Sequence, residues 1–367
     1  PRFAPDRQKL AWSCYDRKTG SALWMSDGEG NEPERLLKDR GAKNFTWRSD
    51  SKAFVFAATH IVNRFNTWSD IYMYNLESKK VVSLTGGARA RDPDFSPDGS
   101  QLVMVTNKVQ NNQLEVMTVD RQKRALTNIT DHTQFSTPRY SPDGQVLAVS
   151  VWSSGRRDLY LYDTLGNPVR RLTADTATDR DPEWSANGQW LYFASDRSGI
   201  PNIYAINTQT EHLYQVTNVL TGAVKPAVNP DNTLLAYQQY SHDGWDVRIL
   251  DLDPASFIDR GLLPASLTYS TPIRELTSIV NTPPASEPRA WNSLPPPDFR
   301  VSRLKTGLPS LGDPFPIIGQ DPVETLDTFE QAKVKDVFGN EQDYPFTIKP
   351  KRYNPLATLL PRYVAPW

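Results

Sequence analysis

One short phrase recurs through the first two thirds of this chain: a Pro, an aromatic residue two positions later, then Ser-Pro-Asp-Gly or a worn version of it. The clearest copies are Asp92-Pro93-Asp94-Phe95-Ser96-Pro97-Asp98-Gly99, Thr137-Pro138-Arg139-Tyr140-Ser141-Pro142-Asp143-Gly144 and Asp181-Pro182-Glu183-Trp184-Ser185-Ala186-Asn187-Gly188. Weaker copies sit at Phe3-Ala4-Pro5-Asp6, Trp47-Arg48-Ser49-Asp50 and Val228-Asn229-Pro230-Asp231. The marker position therefore runs 3, 47, 95, 140, 184 and 228, at spacings of 44, 48, 45, 44 and 44. A fixed period in this range marks a repeat architecture, and a unit of this length holds the four short strands of one propeller blade.

The copy from Arg180 to Asn218 shows the grammar. Ser185-Ala186-Asn187-Gly188 is a turn. Trp190–Ala194, Asn202–Asn207 and Leu213–Thr217 read as the second, third and fourth strands, separated by tight hairpins. Alternate residues of a strand face opposite sides, so each blade offers one apolar row to each neighbour and is buried on both faces. The expected fold is all-β, a six-bladed propeller of four-stranded blades over residues 1–277. In the sixth copy an insertion from about Pro254 to Thr271 delays the fourth strand, which Pro272–Thr277 then supplies. Glu287–Ser293, with Pro288, reads as the opening strand of a further blade: either it is a stray first strand that pairs elsewhere, or the ring is completed by chain outside this sequence.

Prolines thicken after about residue 254, and residues 278–367 read as a Pro-rich extended arm. Glu324–Asp336 is a candidate short helix within it. With 41 basic and 42 acidic residues the net charge is −1, which does not favour nucleic acid as a partner. Cys14 is the one cysteine, expected as a half-buried strand thiol, and excludes a disulfide framework or thiolate metal cluster. The chain opens on Pro1 inside a repeat, as a processed chain or a piece of a longer one would, so the missing targeting signal says nothing of location.

On these repeats, with their closing Leu-Thr, residues 1–277 resemble the TolB-like propellers of Gram-negative envelopes, a WD40-like repeat fold. The resemblance implies a periplasmic, non-enzymatic scaffold that binds other envelope proteins, an outer-membrane protein or lipoprotein among them, and it implies no cofactor. The same repeat decorates peptidases of the prolyl oligopeptidase type, so the propeller of a larger envelope peptidase is an alternative. A ligand- or glycan-binding propeller is another. The final segment, Tyr344–Trp367, resembles the joint by which such a propeller leads into an outer-membrane barrel. Its Tyr353, Arg362, Tyr363 and Trp367 suit a membrane interface.

Residue types for catalysis are mostly missing. The sequence contains no Gly-x-Ser-x-Gly elbow. Four histidines, His60, His132, His212 and His242, fall in different blades without metal-ligand spacing, so no metal site is expected. The Ser of each blade opening is expected to bond its local backbone. The candidate binding residues are Arg91, Asp92, Arg180 and Asp181, read as an ion pair between blades or a polar ring around the pore, together with His132, Lys225, Trp68 and Trp245. Trp68 and Trp245 are the indoles beside loops, where contacts to partners tend to be built.

Overall fold

A computed structural model describes residues 1–263, apart from 17–19, 39–41, 63–65, 109–110 and 243, together with residues 334–335 and 341–342. The first residues form six sheets. Blade 1 holds β1 (Arg2–Phe3), β2 (Lys9–Asp16), β3 (Gly20–Asp27) and β4 (Glu34–Lys38). Blade 2 holds β5 (Lys43–Trp47), β6 (Ala53–Val62), β7 (Asn66–Asn75) and β8 (Val81–Ser83). Blade 3 holds β9 (Ala90–Phe95), β10 (Gln101–Asn107), β11 (Asn112–Thr118) and β12 (Lys123–Ala125). Blade 4 holds β13 (Gln134–Tyr140), β14 (Val146–Ser153), β15 (Arg156–Asp163) and β16 (Pro168–Arg171). Blade 5 starts with β17 (Asp179–Trp184), β18 (Trp190–Ser195), β19 (Asn202–Asn207) and β20 (His212–Gln215). Blade 6 holds β21 (Ala223–Val228), β22 (Leu234–Ser241) and β23 (Gly244–Asp251). The protein is a six-bladed β-propeller.

Six apolar clusters lie between the six sheets, one at each blade–blade interface. The period of two sorts β6 between two of them: Ala53, Val55 and Ala57 join the blade 2–3 cluster, while Phe54, Phe56 and Ala58 join the blade 1–2 cluster. The ring closes within the described residues. Phe3 and Leu10 of blade 1 pack on Ala227 and Ala236 of blade 6, with Trp12, Leu234 and Val247 against them, and Arg7 pairs with Asp231 at 2.6 Å. Closure is by face packing between blades rather than by a shared strand.

Local chemistry explains why the repeat is legible. In each clear opening the Ser hydroxyl accepts the N–H five residues on: Gln101 to Ser96 at 2.9 Å, Val146 to Ser141 at 3.1 Å and Trp190 to Ser185 at 2.9 Å. The Gly amide returns to the Ser carbonyl, with Gly99, Gly144 and Gly188 at φ of 70°, 72° and 69°. The worn copies keep the turn with Arg7, Ser51 and Asn232 in the same left-handed region. At the other end of the blade the Thr of Leu-Thr replaces a strand carbonyl. Its hydroxyl accepts the N–H of the third strand in four blades: Ile71 to Thr85 at 2.9 Å, Leu114 to Thr127 and Leu159 to Thr173 at 3.0 Å, and Ile203 to Thr217 at 2.8 Å.

The insertion after blade 6 departs from expectation. Pro254–Ser256 makes one 3₁₀ turn, and β24 (Ile258–Leu262) then pairs with β20 as a fifth strand of blade 5, within the stretch expected only as an insertion delaying the fourth strand of blade 6. Phe257 explains the switch: its ring packs edge-on against Trp190 at 5.5 Å and Tyr192 at 6.4 Å, drawing the following residues to the outer edge of blade 5. Among the described residues, blade 6 has three strands. Pro272–Thr277 and Pro288 lie outside them, as does the boundary at 277/278. Val334–Lys335 and Glu341–Gln342 form a two-stranded antiparallel pair, β25 and β26, so the end of the expected helix is extended instead.

Candidate functional site

The innermost strands β1, β5, β9, β13, β17 and β21 contact one another in sequence and line the central channel. Five of them carry a β-bulge, and at each bulge stands a non-glycine residue with positive φ: Asn44 at 42°, Asp92 at 53°, Thr137 at 46°, Asp181 at 56° and Lys225 at 53°. Four of the five directly precede a Pro. Such backbone costs on the order of 1–3 kcal/mol per residue and persists where the surroundings over-determine it. Here the determinant is a polar ring. Asp92 takes hydrogen bonds from the Asn44 side chain in blade 2, from Arg91 beside it and from the Thr137 N–H of blade 4, the last at 3.1 Å. The Lys225 ammonium of blade 6 donates to the side-chain amide oxygen of Asn44 at 3.5 Å.

A second layer lies beneath. The residue just before the marker position reads, down the six copies, Arg2, Thr46, Asp94, Arg139, Glu183 and Ala227, and the first five meet one another across the channel. Arg2 donates to both carboxylate oxygens of Glu183 at 2.7 and 2.6 Å. Blade 6 lies between these two blades in the ring, and its Ala227 carries no polar group to the belt and packs with Phe3 and Leu10 instead. Arg139 stands 3.4 Å from Glu183 and 3.6 Å from Asp94. Thr46 donates to Asp94 at 3.0 Å, and the Tyr140 N–H does so at 2.9 Å. Burial pushes the Asp94 carboxyl up to about 7, against the pull of Arg2 and of the Tyr140 and Thr46 hydrogen bonds, with Glu183 adding to the rise. The free space at this level is about 40 Å³, room for a few waters and not for an organic ligand.

The expected site residues are thus brought to one end of the blades, where each innermost strand begins and the second-to-third-strand hairpin turns. Arg91 and Asp92 bond within one strand, so the expected ion pair between blades is not how they act; Asp92 reaches both neighbouring blades through Asn44 and Thr137. Arg180 and Asp181 lack that mutual bond among the described residues, and both are half-buried at the mouth. His132 is exposed in the loop before β13. Trp245 is 51% exposed on β23 and rests on Tyr240 at 5.3 Å. Trp68 is half-buried on the long β6–β7 hairpin. Tyr353, Arg362, Tyr363 and Trp367 lie outside the described residues.

Two kinds of residue escaped sequence reasoning. The inward belt was hidden in the variable position of the repeat, although that column alternates in charge and could have been read down the copies. Arg157 was hidden by distance along the chain. Burial holds its guanidinium below the ordinary value, Arg180 and Arg91 adding to the shift and Asp181 and Asp92 opposing it, which places all five groups around one mouth. The Arg157 guanidinium also donates to Ser136 at 2.7 Å.

Cys14 is half-buried in β2. No group of three metal-ligating side chains occurs among the described residues. No helix among them is long and apolar enough to cross a membrane, which says nothing of a β-barrel.

Residues 125–258 match the sequence model of the TolB beta propeller domain. The Tol-Pal system protein TolB of Francisella tularensis is 27% identical over 230 residues, 60% of this chain and 51% of that protein. The Tol-Pal system protein TolB of Helicobacter hepaticus is 30% identical over 122 residues, 32% of this chain and 29% of that protein. The chain therefore spans about half or less of the length of these relatives. The crystal structure of TolB from Acinetobacter baumannii superposes with a TM-score of 0.56 at 20% identity, covering 66% of this chain and 61% of that one, a likeness of fold.

Proposed function

We propose that this chain, which carries a TolB-like β-propeller, is a non-enzymatic protein-binding module of the Gram-negative envelope that works from the periplasmic side. Its binding surface is the channel mouth formed by Arg91, Arg157, Arg180, Asp181 and Lys225, with the buried Asp92 holding Arg91 from beneath. One observation carries the reading: beneath the mouth the ion belt of Arg2, Glu183 and Arg139 spans the channel, and the free space there is about 40 Å³, too small for an organic ligand. Left-handed backbone at Asp92, Asp181 and Lys225 fixes three of these side chains before any partner arrives, which lowers the ordering cost of association. Charges of both signs on one face favour orientation and choice of partner over raw affinity. The relatives named for the Tol-Pal system support an envelope protein as that partner. An outer-membrane protein or lipoprotein as the partner, and residues 278–367 as the route to the outer membrane, belong to the same proposal.

The test is affinity capture from a Gram-negative envelope extract with the wild-type chain and with Arg180→Glu/Lys225→Glu, whose folding is checked by thermal melting. Recovery of an envelope protein that the double variant loses supports the reading. Recovery of cytosolic proteins alone, or capture indifferent to both substitutions, overturns it.

A further inference from the structure

Beside the β6–β7 hairpin, facing the ends of blades 3 and 4, lies an open cavity of about 600 Å³, separate from the channel and bordered by Asn66, Trp68, Arg89, Asn107 and Gln134. Its indole is built in place from below. Asp70, 1% exposed, accepts the Thr85 hydroxyl at 2.7 Å and the N–H groups of Gly87 and Ala88 at 2.9 Å each, which fixes that turn against the hairpin. A Cβ on Gly87 would stand 3.1 Å from the Trp68 ring, so turn and indole are already in contact. The Arg89 guanidinium sits 4.6 Å from the ring centroid, an attractive cation–π distance, and its backbone is held at a φ of 52°.

Around this platform the side-chain amides of Asn66, Asn107 and Gln134 have no hydrogen-bond partner among the described residues. Lys108 on the rim is already paired with Glu115 at 2.8 Å, which leaves Arg89 as the cation without a carboxylate partner among the described lining residues. None of those lining residues is acidic.

A held aromatic face, several amides that both donate and accept, and one guanidinium fork form a particular set. Sugar rings present C–H faces to an indole and hydroxyls at their edges, which amides satisfy in either sense. A carboxylate on the sugar fits the fork. The volume lies in the range of small-ligand sites. A peptide added as a strand would need a free sheet edge, whereas β6 and β7 pair with each other along their whole length to Val62 and Asn66. We propose that this groove binds an acidic oligosaccharide, its ring on Trp68, its hydroxyls on Asn66, Asn107 and Gln134, and its carboxylate on Arg89.

Titration calorimetry of the intact chain with a mannuronate trisaccharide, with mannotriose and with triglutamate tests this. The mannuronate trimer should bind at least tenfold more tightly than mannotriose, and Arg89→Gln should bring the two together. Trp68→Ala should weaken the acidic trimer at least tenfold. Asn107→Ala/Gln134→Ala, a change confined to the rim, should weaken it as well and serves where the Trp68 variant melts early. Binding of neither saccharide at millimolar concentration, binding unchanged in these variants, or triglutamate bound as tightly as the sugar would each overturn the proposal.

Discussion

Arg2 and Glu183, 181 positions apart in the chain, share two hydrogen bonds of 2.7 and 2.6 Å and tie blade 1 to blade 5 across the channel. Both side chains are largely out of solvent, at 14% and 11% exposure. Removing one partner of such a pair leaves a buried charge behind, at about 3–5 kcal/mol. Arg2→Met should therefore lower the urea midpoint sharply. Arg2→Met/Glu183→Met should recover much of the loss, because neither of these two charges is then stranded and Arg139 keeps Asp94 at 3.6 Å. A double variant no more stable than the single one would refute this account of the belt.

Asp94 makes folding pH-dependent in a definite sense. Its carboxyl titrates near the ordinary carboxylate value of about 4 when unfolded and at about 7 when folded, so the folded chain holds the extra proton between those limits. Its contribution to stability is greatest below about pH 4 and is lost as pH rises through 7, a change on the order of a few kcal/mol. Asp94→Asn keeps the shape and removes the titration. Urea midpoints at pH 5 and pH 8 should show the variant gaining on the wild type as pH rises, and a constant difference would exclude the assignment.

Thr217 accepts the Ile203 N–H at 2.8 Å and donates to the Asn202 side chain at 2.9 Å, both bonds buried. Thr217→Val preserves volume and leaves the Ile203 N–H unpaired, while the Asn202 side-chain oxygen keeps the Val219 N–H at 2.8 Å. A cost of about 1–3 kcal/mol should follow, visible as a lower denaturation midpoint with little change in the slope against denaturant.

Gly166 and Gly199 have nearly the same backbone, at φ of 96° and 89°, in different surroundings. A Cβ at Gly199 would meet nothing within 4 Å, whereas at Gly166 it would lie 1.9 Å from the Leu126 carbonyl oxygen of the neighbouring blade. Gly199→Ala should cost about 1–2 kcal/mol, the left-handed penalty alone. Gly166→Ala should cost a further 1–3 kcal/mol through overpacking, since the obstacle is backbone. Equal melting temperatures for the two variants would contradict that contact.

The site was less legible than the scaffold, and particular residues show why. Arg91, Asp92, Arg180 and Asp181 could be read as a ring because they recur at one position of the repeat. Arg157, Arg2 and Glu183 could not, because their roles exist only once separate blades are brought round to face each other. Trp68 could be picked out as an indole beside a long loop, but its support by Gly87 and Arg89 depends on how the end of β8 folds back on the hairpin.

What sequence alone determined was the repeating unit. Turns such as Ser96–Gly99 and latches such as Leu84-Thr85 are made by residues within one blade, so their chemistry is written in adjacent letters and repeats with them. Only the tertiary structure decided how the units meet: that Arg2 of blade 1 reaches Glu183 of blade 5, and that Phe257 sends β24 to blade 5. Those outcomes rest on packing between segments far apart in the chain, where volume and distance decide, and neither is a property of any local run of residues.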